Sequence, residues 1–251
     1  MSLSPQLSTR IAAQYQAVQA AISQARQAAG HTDAADPVRL LAVSKTQAAE
    51  AVIAAAHAGQ KAFGENYVQE GINKILACRA AGFQGTQALE WHLIGPLQSN
   101  KTRIVAELFD WVESIDRLKI AERLSAQRPE NLAPLQICVQ VNVSGEASKS
   151  GCLPQDAAEL CAKIAELPRL CLRGLMAIPE PVEGEAAQRA ACRPLVECFR
   201  AIRPTLPDPA SFDTLSLGMS HDLKAAIAEG ANQVRIGTAL FGQRTKHSPS
   251  P

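Results

Sequence analysis

The sequence lacks the patterns typical of membrane, secreted and nucleic-acid-binding proteins. No apolar run in its 251 residues approaches the length that spans a bilayer. Residues 1–30 lack the charged-then-apolar order of a signal peptide. The formal net charge is only +1 with both signs interspersed, which argues against a nucleic-acid or acidic-membrane surface. We therefore expect a cytoplasmic protein.

The sequence also has little that could form disulfides or hold a metal. Its seven cysteines contain no CxxC pair, and its five histidines show no metal-ligand spacing. Cys138, Cys161 and Cys171 fall within apolar patterns that are typical of reduced core cysteines. We expect neither a structural disulfide nor a metal site.

What the sequence does contain is a buried-strand pattern that ends on a lysine. The stretch Arg39-Leu40-Leu41-Ala42-Val43-Ser44-Lys45-Thr46 has four consecutive apolar residues, which favours a strand buried on both faces. Burial disfavours a charged ammonium and favours the neutral amine, which is the nucleophile of a Schiff-base lysine. The plainer interpretation is that Lys45 extends its charge to solvent at a strand end. Position alone leaves both interpretations open.

Strand and helix patterns alternate along the chain after a first helix over 5–29. Eight such alternations favour a (β/α)8 TIM barrel over an open doubly wound sheet. An open sheet would require a glycine-rich phosphate loop after the first strand, and Ser44-Lys45-Thr46-Gln47 is not one. The predicted strands are 39–45, 61–66, 89–95, 111–115, 135–143, 170–178, 214–219 and 234–241.

The domain organisation follows from the same series of elements. No boundary rich in glycine, serine or proline divides it, so residues 1–244 are predicted to form a single domain with an extra N-terminal helix. Residues 31–37 are predicted to be a short linker. We expect the polar residues 245–251 to be a disordered tail.

In a barrel of this kind the functional side chains gather at the carboxyl ends of the strands. Lys45 ends the first predicted strand, and Asn66 ends the second. The candidates at the other strand ends are His92, the loop 95–100, Asn142, Ser144, Met176, Ser220, Gly237 and Thr238. The last three follow strands seven and eight, where barrels often bind phosphate. A lysine opposite a phosphate cup indicates pyridoxal 5′-phosphate, or a sugar phosphate in an aldolase-type enzyme.

Long motifs coincide with these strand ends. They are LAVSK at 41–45, FGENYVQE at 63–70, WHLIGPLQSNK at 91–101, SKSG at 148–151, RGLMAIP at 173–179, LSLGMS at 215–220 and VRIGT at 234–238. Through these motifs, residues 40–242 resemble the pyridoxal phosphate homeostasis protein family. The resemblance implies a barrel like the N-terminal domain of bacterial alanine racemase.

The same resemblance implies a set of residues that contact the cofactor. They are Lys45, Asn66, Ser220, Arg235, Gly237 and Thr238. Lys45 would hold pyridoxal 5′-phosphate as a Schiff base, and Arg235 would face the pyridine nitrogen. Asn66 would line the pocket, and the other three would hold the phosphate. His221 departs from the family pattern, where an acidic or small residue is commoner, which leaves the local charge at the phosphate open.

An arginine at the pyridine nitrogen limits the chemistry. A guanidinium does not hand over a proton, so the ring stays unprotonated and is a weaker electron sink, which argues against transamination. It does not exclude racemisation, because alanine racemase-like sites also use arginine. Racemisation needs a second base, which the racemases take from a tyrosine of a further domain. The tyrosines here are Tyr15 and Tyr67, and we expect no such domain.

The resemblance therefore implies a non-enzymatic protein of pyridoxal 5′-phosphate homeostasis, which buffers or delivers the cofactor and has no catalytic residues. Its expected partners are the cofactor and pyridoxal phosphate-dependent apoenzymes, and we expect a monomer. The alternative is a slow amino-acid racemase or a related lyase. A third possibility is an aldolase-type barrel that acts on a sugar phosphate.

Two further polar residues keep two interpretations each. His92 lies within a predicted strand and is either a hydrogen-bonded core histidine or a pocket residue. Lys149 lies in a polar loop and is either a solvated lysine or part of a second site for cofactor or partner.

Overall fold

The strands follow the predicted order. The computed structural model describes residues 3–30, 37–146 and 149–242. Within this part of the chain there are nine α-helices, α1–α9, and eight β-strands, β1–β8. The strands are β1 Arg39–Val43, β2 Ala62–Glu65, β3 Glu90–Leu93, β4 Trp111–Ile115, β5 Leu135–Gln140, β6 Leu170–Met176, β7 Thr214–Ser216 and β8 Gln233–Ile236.

The helices alternate with these strands. They are α1 Pro5–Ala28, α2 Ala49–His57, α3 Val68–Ala80, α4 Thr102–Leu108, α5 Leu118–Gln127, α6 Pro154–Ala165, α7 Glu185–Ile202, α8 Leu223–Ala228 and α9 Thr238–Phe241. Short 3-10 helices cover Gly85–Gln87, Ser99–Lys101 and Arg203–Thr205. Pro154 stands in the first turn of α6, where its missing N–H costs no intrahelical hydrogen bond.

All eight strands are parallel and close into one barrel in sequence order. β1 pairs with β2 on one side and with β8 on the other, where Leu41 lies opposite Arg235. The N-terminal helix α1 packs outside the barrel on α2, α8 and α9 and buries Ile11, Val18 and Ile22. The predicted (β/α)8 barrel with an extra N-terminal helix is therefore confirmed.

The eighth predicted strand is wrong in its second half. The strand ends at Ile236, and residues 238–241 form α9 instead. The N–H of Phe241 donates to the carbonyl of Gly237, which closes a helical turn. The apolar run was a poor guide here because a short buried helix and a buried strand give the same hydrophobic signal.

The barrel separates two cores. Leu40 and Ala42 of β1 face the large apolar layer between strands and helices. Leu41 and Val43, the alternate residues, face a small cluster inside the barrel. This alternation matters for function because neighbouring residues at a strand end face different surroundings.

Several other predictions concern what the protein lacks. Cys138 and Cys161 are buried, Cys171 is half-buried, and all seven cysteines are free thiols. Within the described residues, no group of three or more His, Cys, Asp or Glu side chains could hold a metal ion. None of the helices in that part of the chain is long and apolar enough to cross a membrane. The linker residues 31–36 and the predicted tail over 245–251 lie outside the described residues.

Candidate functional site

Lys45 lies just beyond β1, at the carboxyl end of the barrel. Its half-buried side chain lines a cavity together with Val43, two residues earlier, which is the spacing that strand alternation predicts. The intervening Ser44 is fully buried on the other face. The backbone turns directly after the lysine, since Thr46 has a left-handed φ of 64°.

The cavity at this end of the barrel has a volume of about 270 Å³. All six residues predicted to contact a cofactor line it, namely Lys45, Asn66, Ser220, Arg235, Gly237 and Thr238. The rest of the lining comprises Val43, Ile94, Ile178, Met219 and His221. The closed barrel thus brings residues from both ends of the sequence into one space.

Arg235, on β8, lines the candidate site. It is only 4% exposed, and its Nη1 donates to Oγ of Ser216 at 2.8 Å. Its Nη2 donates to the carbonyl of Ala177 at 2.7 Å. Burial lowers the pKa of Arg235 below its ordinary value, and the Glu113 carboxylate opposes this effect. These contacts hold a guanidinium in a fixed orientation beside the cavity.

A chain of charges continues from Arg235 through the barrel interior. Oε2 of Glu113 accepts a hydrogen bond from Ser216 at 2.6 Å, and its Oε1 lies 2.5 Å from Nδ1 of His92. Nε2 of His92 lies 2.8 Å from Oε1 of Glu90, which Arg39 also contacts. Positive and negative groups therefore alternate from one end of the barrel to the other.

The protonation of His92 follows from these partners. Burial alone would lower the pKa of His92, but the hydrogen bonds to Glu113 and Glu90 raise it above its ordinary value. Two carboxylate acceptors require both ring nitrogens to donate, which only the imidazolium does. Burial would also raise the pKa of Glu90, but His92 and Arg39 lower it to about 2.

Glycines shape the two turns that were predicted to hold a phosphate. Gly218 has a φ of 96°, and a Cβ there would lie 2.6 Å from Cβ of Ala226, so this turn requires glycine. A Cβ on Gly237 would come within 3.1 Å of the Val43 carbonyl oxygen. The N–H of Met219 donates to Oδ1 of Asp222 at 2.6 Å, which fixes the turn beside Ser220. The turns bring hydroxyl and backbone groups to the cavity, as anion binding requires.

A second cavity of about 210 Å³ adjoins the first and shares Asn66, Ile94 and Ile178 with it. Asn142 and Lys149 line this second cavity. Nζ of Lys149 lies 2.9 Å from Oε1 of Glu146 and 3.7 Å from Oε1 of Glu180. Lys149 therefore lies beside two carboxylates in the adjoining cavity and does not line the cavity of Lys45.

Comparison with known proteins identifies the family of this barrel. Residues 14–245 match the family described as alanine racemase, N-terminal domain. A pyridoxal phosphate homeostasis protein of Pseudomonas aeruginosa is 55% identical over 234 residues, which cover 93% of this chain and 95% of that protein. The one of Escherichia coli is 54% identical over 209 residues, which cover 83% and 87%. The chain belongs to the pyridoxal phosphate homeostasis protein family.

Solved structures place this family member among similar barrels. PipY of Synechococcus elongatus, solved with PLP bound, matches with a TM-score of 0.68 and 34% identity over 88% of this chain and 100% of that chain. An alanine racemase of Corynebacterium glutamicum gives a TM-score of 0.66 at 16% identity and covers 97% of this chain and 63% of that chain. The second match shows a shared fold alone.

Some strand-end candidates of this family member lie away from the cavity. His92 is fully buried and stacks on Trp111 at 4.9 Å, so it is a hydrogen-bonded residue of the barrel interior. Met176 packs with the same tryptophan. Tyr15 and Tyr67 are absent from the residues that line the cavity. Ser148, from the SKSG motif, lies outside the described residues.

Sequence reasoning missed the buried charged residues of this family member. Glu65, Lys74 and Glu113 are each at most 4% exposed. A signal was present for Lys74, which lies on the buried face of α3 with Gly71, Ile75 and Cys78. A lysine at helical spacing with apolar neighbours is unusual enough to indicate a buried partner. The partner itself was not predictable, because the spacing within one helix does not show which strand faces it.

Proposed function

We propose that this protein binds pyridoxal 5′-phosphate as a Schiff base on Lys45 and serves in buffering or delivery of the cofactor rather than in turnover of a substrate. The observation that carries the proposal is the single cavity in which Lys45, Arg235 and the two glycine-shaped turns meet. Relatives at 54–55% identity are named pyridoxal phosphate homeostasis proteins.

The residues of the cavity fit the parts of this cofactor. Pyridoxal 5′-phosphate supplies an aldehyde that an amine binds reversibly: the lysine nitrogen forms a C=N bond with the aldehyde carbon, and the oxygen leaves as water. Lys45 provides that amine at one wall. Ser220, Gly237 and Thr238 provide donors suited to the phosphate.

Arg235 orients the ring and limits its reactivity. Its guanidinium is held by Ser216 and Ala177, so it presents its remaining N–H groups in a fixed direction. A guanidinium facing the pyridine nitrogen keeps that nitrogen unprotonated. This arrangement supports storage of the cofactor more than electron-withdrawing catalysis, which benefits from a protonated ring.

The first test is an absorbance spectrum of the purified protein with pyridoxal 5′-phosphate, followed by borohydride reduction and mapping of the adduct by mass spectrometry. We expect the label on Lys45 and its loss in Lys45→Ala. The control is Lys163→Ala, which removes an exposed lysine of α6. A wild-type protein without label at Lys45 would overturn the proposal, and sugar phosphates would then be the next ligands to test.

Delivery makes a separate kinetic prediction. The loaded protein should lose the cofactor to a pyridoxal phosphate-dependent apoenzyme faster than it loses it to buffer containing a trapping amine. Equal rates would show that the protein only buffers the cofactor and does not hand it to a partner.

Slow racemisation is the second candidate function, and one residue of the cavity favours it. Besides Lys45, the lining contains His221, an exposed imidazole that can accept a proton. Exchange of the α-hydrogen of alanine in deuterium oxide would reveal this activity. It should disappear in Lys45→Ala and fall in His221→Asn, whereas no exchange above the rate of free cofactor argues for a non-enzymatic role.

A further inference from the structure

The residues next to Lys45 and Asn66 face the opposite side of the barrel wall. Lys45 and Asn66 line the cavity, whereas Ser44 and Glu65 are fully buried on the side of the helices. Strand alternation produces this division, since consecutive side chains point to opposite faces. Whatever fixes Ser44 and Glu65 therefore also fixes the backbone that carries Lys45 and Asn66.

A buried ammonium joins these two backbone segments from behind. Nζ of Lys74, on α3, donates to the carbonyl of Ser44 at 2.5 Å and to Oε1 of Glu65 at 2.7 Å. It donates to Oε1 of Glu70 at 2.7 Å as well. Oγ of Ser44 donates to Glu65 at 2.5 Å. These three acceptors occupy all three N–H donors of the ammonium. We name Ser44, Glu65, Glu70 and Lys74 the Lys74 cluster.

The Lys74 cluster also reaches the residue after Lys45. Oε1 of Glu70 accepts a hydrogen bond from the N–H of Thr46. Thr46 has a left-handed φ of 64°. This conformation is sterically unfavourable for a β-branched residue. The hydrogen bond that the Thr46 N–H donates to Glu70 stabilises this turn. Lys45 is consequently held on both sides, through the Ser44 carbonyl before it and the Thr46 N–H after it.

We propose that Glu70 and Lys74 are positioning residues that set the direction of the Lys45 amine and its distance from Asn66. This inference rests on the proposed function of Lys45 as the cofactor lysine. The positioning residues touch no part of the cavity; they act through the backbone at residues 44–46. A misplaced amine slows covalent attachment of an aldehyde, while contacts at the phosphate and ring remain available.

The main test is Glu70→Ala, because Lys74→Met would leave Glu65 buried without its cation and risks unfolding. The readouts are the rate of borohydride-trappable attachment of pyridoxal 5′-phosphate to Lys45 and the affinity for pyridoxine 5′-phosphate, which has no aldehyde. We expect attachment about tenfold slower with pyridoxine 5′-phosphate affinity within about twofold of wild type. The matched control is Lys163→Gln, which breaks an exposed pair with Glu159 at the same i,i+4 spacing.

A second variant separates positioning from general destabilisation. Thr46→Gly removes the steric cost of the left-handed turn, so Glu70→Ala/Thr46→Gly should recover most of the attachment rate lost in Glu70→Ala. A purely structural role for Glu70 predicts instead that the attachment rate and the affinity for pyridoxine 5′-phosphate fall and recover together with the free energy of unfolding.

The outcomes are distinguishable. Slower attachment with retained pyridoxine 5′-phosphate affinity and recovery by Thr46→Gly supports the inference. Equal rates in Glu70→Ala and Lys163→Gln overturn it, as does a parallel loss of both readouts, with or without recovery by Thr46→Gly. If the wild-type protein attaches no cofactor at Lys45, the proposed function itself fails, and the positioning role fails with it.

Discussion

At the scale of single residues, the barrel interior is unusual for the charges that it buries. Glu113 and His92 are both fully buried, and Arg235 is nearly so. Isolated buried charges are very unfavourable, but an alternating series compensates each one with a neighbour. Burial would raise the pKa of Glu113, yet its partners His92 and Arg235 lower it below its ordinary value. The series holds Arg235 in place as a consequence.

The raised pKa of His92 predicts how stability depends on pH. A group protonated more readily in the folded than in the unfolded state contributes stability that is complete below its unfolded pKa, about 6.5. That contribution is lost as pH rises toward the folded pKa. The free energy of unfolding, measured by urea titration, should therefore fall as the pH rises above about 6.5.

The variant His92→Gln should be less stable at pH 6 and should lose most of this pH dependence. The control is His57→Gln, which removes an exposed histidine at the end of α2. A His92→Gln protein that retains the wild-type slope would contradict the assignment of a buried imidazolium.

At the scale of elements, α3 shows how one helix serves both packing and the site. Its buried face carries Gly71, Lys74, Ile75 and Cys78. The lysine reaches the ends of β1 and β2, while the glycine lets the helix approach Phe109 closely. A Cβ at position 71 would lie 2.6 Å from Cζ of Phe109. The position of Lys74 therefore depends on the absence of a side chain three residues earlier.

Gly71→Ala tests this dependence, and its expected sign is opposite to the usual one. Alanine in a helix normally stabilises relative to glycine by roughly 0.5–1 kcal/mol. Here overpacking against Phe109 should instead lower the free energy of unfolding by about 1–3 kcal/mol. The double variant Gly71→Ala/Phe109→Leu should recover part of the loss. If Gly71→Ala is more stable than wild type in urea unfolding, the close contact is not structurally important.

At the scale of the whole molecule, the barrel has cavities at both ends with different chemistry. The cavity of about 270 Å³ at the carboxyl end contains Lys45 and Arg235. A larger one, about 510 Å³, lies at the other end and is lined by arginines and acids, including the pair Arg173–Asp213. Size alone would favour the larger cavity as the binding site. Of these two cavities, however, the smaller one is the one that brings an amine and glycine turns together. We therefore expect the ligand to bind in the cavity that Lys45 and Arg235 line.

Linkage between binding and unfolding tests this expectation on the intact protein. Pyridoxal 5′-phosphate at about 100 times its dissociation constant should stabilise the fold by about 2.7 kcal/mol. In Lys45→Ala, the rise in melting temperature at the same cofactor concentration should shrink to that produced by pyridoxine 5′-phosphate. An undiminished rise in the variant would locate the binding elsewhere, including the cavity at the opposite end.

The sequence by itself determined the order of strands and helices, the barrel and the placement of Lys45 at the end of β1. Those features follow from local periodicity and from the rule that the site of a barrel lies at the carboxyl ends of its strands. Periodicity failed at residues 238–241, where a short apolar run is ambiguous.

Only the tertiary structure decided which buried charges meet. Glu113 and Ser216 are 103 residues apart in sequence, and Lys74 lies 30 residues after Ser44. A hydrophobic pattern shows that a position is buried, but the partner of a buried charge depends on which strand closes beside it and which helix packs behind it. The surroundings of Lys45 are therefore a property of the closed barrel, although the lysine itself could be found from its sequence.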